Sequence, residues 1–175
     1  MRKVIVSYSL TGNNERLAAS LAAALGAERV RIIEPKPRTM LTTVLDMVFN
    51  RTPKISVPLD KIETHDWVLF VGPVWMGQVA TPFRACFKQL RDKVAGYAFI
   101  SISGGADGPN PKLAGELEKR LGKEPAALID LHIADLLPPD PKPTRDDTSA
   151  YQLTEGDVKH LTDTIVATLG KTPVH

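Results

Sequence analysis

Residues 4–18 read VIVSYSLTGNNERLA, an apolar run that passes through a cluster of polar residues into a helical pattern. Val4–Val6 is a short β-branched run that does not alternate with polar residues, so it reads as a strand buried on both faces. Leu17, Leu21 and Leu25 follow at i, i+4 and i+8 with Ala18 and Ala22 beside them, an amphipathic helix stopped by Gly26. Between strand and helix lie the hydroxyls of Ser7, Ser9 and Thr11, then Gly12, then the amides of Asn13 and Asn14. So many donors at a strand-to-helix turn point to an anion. The first N–H groups of a helix have no intrahelical partner and sit at the positive end of its dipole, so a phosphate fits there without a cationic side chain. Gly12 allows the tight turn and the close approach. The plainer alternative is that Ser9, Thr11 and Asn13 only cap a helix. Neither G-x-x-x-x-G-K-[ST] nor G-x-G-x-x-G is present, which excludes a P-loop and leaves a dinucleotide-type site poorly supported.

Outward from this stretch, strand and helix patterns alternate. Val30–Ile33 reads as a second strand, ended by Pro35, and Met40, Leu41, Val44, Leu45 and Val48 as a helix. Trp67–Val71 is the clearest strand, followed by the loop GPVWMGQVA (72–80). Thr81 can then cap a helix with Pro82 at its first position and Phe83, Cys86, Phe87 and Leu90 as its apolar stripe. Tyr97–Ser103 is the fourth strand, followed by GGADGPNP (104–111) and a helix carrying Leu113, Leu117 and Leu121. Ala126–Ile133 is the fifth. Asp135–Thr148 is Pro- and Asp-rich and reads as an irregular surface loop. Thr154 caps a last helix with Val158, Leu161, Ile165 and Leu169 facing inward. The expected architecture is α/β: a three-layer, doubly wound, five-stranded parallel sheet of order 2-1-3-4-5 in one domain over residues 1–175. In such a sheet ligands bind outside the carboxyl ends of the strands where the order reverses. The loops after strands one, three and four would therefore converge on one site.

The bulk properties narrow the function classes. The 175 residues are 43% hydrophobic with a formal net charge of +2, and no dense Lys/Arg stripe argues for nucleic acid. No run approaches the ~20 apolar residues of a membrane span, and the apolar part of MRKVIVSYS is too short for a signal peptide; a cytoplasmic protein is expected. Cys86, the only cysteine, lies on an apolar stripe and reads as core. His65, His132, His160 and His175 are scattered, H-E-x-x-H and C-x-x-C are missing, and no metal site is expected. Ser7 and Ser9 lack a G-x-S-x-G context. Asp146 and Asp147 read as part of a solvated loop. Met40, Met47 and Phe49 read as core, or as the edge of the site or a partner surface.

At the phosphate cradle the sequence resembles the flavodoxin-like family. SLTGNN (Ser9–Asn14) stands where that family commonly has S-x-T-G-N-T, with Asn14 in place of Thr. FVGPVWMGQVATPFRACF (70–87) is similar to the segment after strand three, G-x-P-x-[WY]-x-G…P and a helix, and SISGGADGPNP (101–111) sits where the third flavin loop belongs. The resemblance spans nearly the whole chain and implies noncovalent FMN. Carried over by position, it implies that Ser9, Thr11, Gly12, Asn13 and Asn14 hold the phosphate, with Asn14 donating through its amide and its backbone N–H. Pro73, Val74, Trp75, Met76 and Gly77 would line one side of the isoalloxazine, and Ser103, Gly104, Gly105, Ala106 and Asp107 the other. The Met76–Gly77 peptide is the candidate for the hydrogen bond near flavin N5.

The third loop departs from electron-carrying flavodoxins in having no aromatic residue, and its glycines are expected to leave one flavin face open to a nicotinamide or a quinone. The slightly basic chain, with only Asp107 acidic among these loops, implies a less negative potential than in the acidic carriers. Both features favour an FMN-dependent oxidoreductase linked to NAD(P)H or a quinone, with the chemistry supplied by the cofactor and no catalytic side chain required. The alternatives are an electron carrier with a protein redox partner and no substrate of its own, and a flavin-less binding or regulatory module of the same fold. A response-regulator-like domain fits less well, because strand one ends in Ser7 and Ser9 rather than in acidic residues. A homodimer across the flavin is left open.

Overall fold

The computed structural model describes residues 2–36 and 38–171; the side chain of Met40 and residue His175 lie outside the described residues. Five parallel strands form one sheet: β1 (Lys3–Ser7), β2 (Glu28–Arg31), β3 (Trp67–Val71), β6 (Tyr97–Ser103) and β7 (Ala127–His132), in the order β2-β1-β3-β6-β7. This is the expected 2-1-3-4-5 arrangement of a flavodoxin-like fold. Two further strands, β4 (Val74–Trp75) and β5 (Gln78–Val79), form a separate antiparallel hairpin inside the loop after β3. The helices are α1 (Asn13–Leu25), α2 (Met40–Val48), α3 (Leu59–Glu63), α4 (Thr81–Leu90), α5 (Leu113–Leu121), α6 (Arg145–Ala150) and α7 (Glu155–Leu169), with a short 3-10 turn at Ile133–Leu136.

The three central strands are buried on both faces, as their unbroken apolar runs require. Val4, Val6, Val68, Phe70, Tyr97 and Phe99 point into one core with α3, α4 and α5. Ile5, Leu69, Val71, Ala98, Ile100 and Ile102 point into the other, with α1 and α7. The first core is organised around Phe70, whose ring meets Phe87 at 4.8 Å, Tyr97 at 5.8 Å and Phe83 at 6.0 Å in edge-on contacts. Gly26 ends α1 in the left-handed conformation at φ 59°. Thr154 caps α7 in a reciprocal box with Asp157.

Several boundaries differ from the sequence reading. Strand β2 begins earlier, at Glu28, and its continuation at Ile33 pairs with Ser56 instead of with β1. Two helices, not one, cross from β2 to β3; five-residue α3 is too short to show a period. Thr81 is the first residue of α4 rather than its cap: Ala80 holds that position, and the buried Thr81 hydroxyl makes no hydrogen bond. The Pro- and Asp-rich stretch carries the 3-10 turn and α6, the latter started by a Thr144–Asp147 capping box. The expected helix is present as α2, with Leu41, Val44 and Val48 exposed; of the residues read as core or as an edge or partner surface, Met47 is buried and Phe49 is exposed. No helix among the described residues is long and apolar enough to cross a membrane.

Cys86 is fully buried in the first core, and burial pushes its thiol up to about 12. Native protein is expected to be inert to a thiol-specific colorimetric reagent at mildly alkaline pH and to react fully once unfolded in denaturant. At Gly72, where β3 gives way to the hairpin, a Cβ would lie 2.1 Å from Cε2 of the buried Phe83 ring. Gly72→Ala is therefore expected to destabilise the fold by about 2 kcal/mol through overpacking, read as a lower urea midpoint with unchanged m-value.

Candidate functional site

The strand order makes β1, β3 and β6 neighbours, and the loops at their carboxyl ends touch one another. Tyr8, just past β1, meets Trp75 of the second loop edge-on at 6.0 Å. A Cβ on Gly77 in the second loop would lie 3.7 Å from Asn110 Oδ1 in the third. The first and third loops are joined by Asn14, whose Nδ2 donates to the Ile102 carbonyl at 2.8 Å and whose Oδ1 accepts the Ile102 N–H at 3.0 Å. The expected convergence on one rim is thus present in the contacts.

The Asn14 bonds have a simple origin. Strands β3 and β6 stay in register only as far as Val71 opposite Ile100. Beyond that point β3 turns away, which would leave Ile102 without a neighbour on that side. The Asn14 amide, a planar donor–acceptor pair like a peptide, takes the place of the missing strand. Asn13 does the same for another segment: its Nδ2 donates to the Tyr151 carbonyl at 2.9 Å and its Oδ1 accepts the Leu153 N–H at 3.0 Å. Both residues are 2% exposed. Their side chains are tied to the scaffold through Ile102, Tyr151 and Leu153, which places the backbone N–H groups of the same residues at the open start of the helix.

The rest of the first loop is open. Gly12 has φ 96° and caps α1 with no side-chain bond, and nothing lies within 4 Å of where its Cβ would be. The Arg16 N–H is the first to reach an intrahelical carbonyl, that of Gly12 at 3.0 Å. The N–H groups of Asn13, Asn14 and Glu15 therefore lack intrahelical acceptors. Ser9 Oγ accepts the Gly12 N–H at 2.9 Å and shapes the turn. Thr11 is exposed and its hydroxyl makes no protein hydrogen bond among the described residues. The carboxylate in this first turn, Glu15, is neutralised by Arg29 and Arg31 and accepts from Ser7 Oγ at 3.0 Å. A ring of uncompensated N–H groups beside a side-chain-free Gly12 suits a dianionic phosphate.

In the second loop Pro73 and Val74 are buried, Trp75 is half-buried, and Met76 and Gly77 form the hairpin tip. Both tip residues have positive φ, 51° and 76°, the geometry of a type I′ turn. Met76 is strained there and 73% exposed. Trp75 is held by Tyr8 on its edge and by the Arg38 guanidinium 5.5 Å over its ring. Arg38 is itself pinned by Glu34 and by Asp46 at 2.8 Å. Tyr8 donates to Glu34 at 2.7 Å, and burial together with that carboxylate raises its pKa well beyond the usual phenol range.

In the third loop the glycines do not open a space. A Cβ on Gly105 would sit 2.3 Å from His132 Cβ, and one on Gly104 2.9 Å from Thr148 Oγ1. Ser103 is nearly buried, Ala106 half-buried, and exposed Asp107 pairs with Arg145 of α6 at 2.9 Å. Beneath this loop Asp130 accepts from Ser101 Oγ at 2.5 Å and from Asn110 Nδ2 at 2.9 Å, and His132 Nε2 lies 3.2 Å from it. Sequence reasoning missed Tyr8, Arg38, Asn110, Asp130 and Thr148; none carries a motif, and each is defined by its partner across the fold.

Solved structures share this architecture. A protein from Bacteroides eggerthii DSM 20697 superposes with TM-score 0.65 at 19% identity over 94% of this chain and 98% of that one. A flavoprotein from Lactobacillus acidophilus NCFM, solved in complex with FMN, superposes with TM-score 0.64 at 19% identity over 74% of this chain and 92% of that one. The Trp repressor binding protein of Bacillus subtilis does so with TM-score 0.54 at 13% identity over 99% of this chain and the whole of that one. No protein-family model matches the chain, and no curated protein matches it in sequence.

Asn14→Ala removes both partners of a buried peptide unit and is expected to cost about 3 kcal/mol, read by urea unfolding. Thr11→Ala, one residue before the cap, is expected to stay within about 0.5 kcal/mol of the parent.

Proposed function

We propose that the protein binds FMN noncovalently at this rim and works as an oxidoreductase, exchanging electrons with NAD(P)H or a quinone. The observation that carries the reading is the open start of α1. Its N–H groups at residues 13–15 lack intrahelical acceptors, its capping Gly12 carries no side chain, and its first-turn carboxylate is neutralised by two arginines. A phosphate monoester is the anion that fits such a cradle of neutral donors. The Lactobacillus protein's complex with FMN, on the same fold, supports the choice of nucleotide.

In this reading the backbone N–H groups at 13–15 and the Thr11 hydroxyl hold the phosphate, and Ser9 holds the turn. The peptides of the hairpin tip 76–77 and the third loop 103–107 border the ring, with Trp75 as the aromatic wall on the hairpin side. FMN, when bound, supplies the two-electron chemistry, accepting hydride from a nicotinamide or passing electrons to a quinone. The chain's own part is to orient the ring and set its surroundings; no side-chain acid or base is needed. The exposed tip at Met76 leaves the hairpin accessible to a second molecule.

Titrating flavin-free protein with FMN is expected to give saturable quenching of flavin fluorescence and a shifted visible spectrum. Thr11→Ala is expected to weaken binding about tenfold, the effect of one charge-assisted hydrogen bond, with stability unchanged. Steady-state oxidation of NADPH with a quinone by the loaded protein supports the oxidoreductase. Reduction only by a protein reductase would make it a carrier, and failure to take up FMN would refute the flavin reading altogether.

A further inference from the structure

Apart from the phosphate cradle, a groove of about 930 Å³ lies between α4 and α5 and begins at the hairpin tip, Met76 to Gln78, and at Asn110. Six cationic side chains line it: Arg84, Lys88 and Arg91 from α4 and its end, and Lys112, Lys119 and Arg120 from α5 and its start. One carboxylate, Glu116, faces them. The chain as a whole carries a formal charge of only +2, so this concentration of one sign is local.

The buried member of the set is Arg84, 3% exposed. Its Nη1 donates to Asn50 Oδ1 at 3.0 Å and its Nη2 to Gln78 Oε1 at 2.6 Å, both neutral acceptors. Its Nε is buried and has no hydrogen-bond partner. Glu116 is only 3.9 Å away, but it is shared: Oε1 accepts from Arg120 at 2.7 Å and Oε2 from the Val79 N–H at 2.8 Å. Burial and the nearby Arg120 both disfavour the Arg84 charge. A buried guanidinium without a dedicated anion is costly unless something else compensates it. Among the described residues, Lys88, Lys112 and Lys119 make no side-chain hydrogen bond or ion pair, which leaves three ammonium groups available along the same groove.

We propose that the α4–α5 groove binds the phosphate groups of a small molecule, with Lys88, Lys119 and Arg120 contacting them and Arg84 as the charge at the floor. The volume is that of a small-molecule site, and cations grouped around a buried guanidinium match phosphate oxygens. The groove meets the hairpin tip, so an organic ligand anchored there by its phosphates would extend toward the rim. Inorganic diphosphate and a phosphorylated organic molecule share this chemistry. The site does not require that the rim hold a flavin.

The test is calorimetric titration of the full chain with inorganic pyrophosphate and, separately, with NADPH, with and without saturating FMN. Saturable pyrophosphate binding is expected, unaffected by FMN. The Lys88→Ala/Lys119→Ala variant, which alters only exposed side chains, is expected to weaken it tenfold or more while leaving thermal unfolding and FMN affinity unchanged. NADPH binding tighter than pyrophosphate, with the same dependence on the lysine pair, supports an organic ligand; equal affinities support bare diphosphate. No saturable pyrophosphate binding, binding undiminished in the variant, or competition between pyrophosphate and FMN would overturn the groove as the site. Because the lysine pair reads the groove directly, failure of FMN to bind leaves this result interpretable.

Discussion

The rim of this molecule depends on a side chain that substitutes for a strand. Where β3 leaves β6, Asn14 supplies the missing N–H and C=O to Ile102 through bonds of 2.8 and 3.0 Å. That pair welds the start of α1 to the end of β6 across a gap of 88 residues in sequence. Asn13 welds the same turn to the segment between α6 and α7. With both amides buried, the first turn of α1 cannot rotate, so its free N–H groups point in a fixed direction. Preorganised donors of this kind cost nothing to reorient when an anion arrives.

This division of labour changes how the turn T-G-N-N is understood. Side chains that look like ligands for an anion hold the backbone at Ile102, Tyr151 and Leu153, and in the proposed reading the backbone N–H groups are left to meet the anion. The same logic runs through the other two loops. Trp75 is clamped by Tyr8 and Arg38, with Arg38 held in turn by Glu34 and Asp46. Gly104 and Gly105 are small because Thr148 and His132 pack where their side chains would be. The hairpin tip carries a strained left-handed conformation at Met76.

The sheet and its order were legible because the unbroken runs VIV, WVLFV and YAFISIS belong to strands covered on both sides. The converging loops followed from that order. What could not be read were pairings set by tertiary register: Asn14 with Ile102, Asn13 with Leu153, Thr148 with Gly104. The β4–β5 hairpin was missed because its strands are two residues long and its Met76-Gly77 turn lacks the Asn-Gly or Asp-Gly pair that marks such turns. Helix α6 was hidden by the prolines around it, yet T-x-x-D at Thr144–Asp147 marks its start. The cationic groove was invisible because its residues are scattered between 84 and 120 and meet only when α4 and α5 pack side by side.

In the proposed function, backbone N–H groups at the start of α1, held rigid by the two asparagines, grip the phosphate of FMN. Backbone amide chemical shifts recorded during a titration with FMN, and with riboflavin for comparison, test it most directly. The account predicts that FMN shifts the amides of residues 11–15 strongly downfield, that riboflavin, lacking the phosphate, does not, and that both perturb the hairpin tip at 76–78. FMN-induced shifts that leave residues 11–15 unmoved, or that riboflavin reproduces there in full, would contradict it.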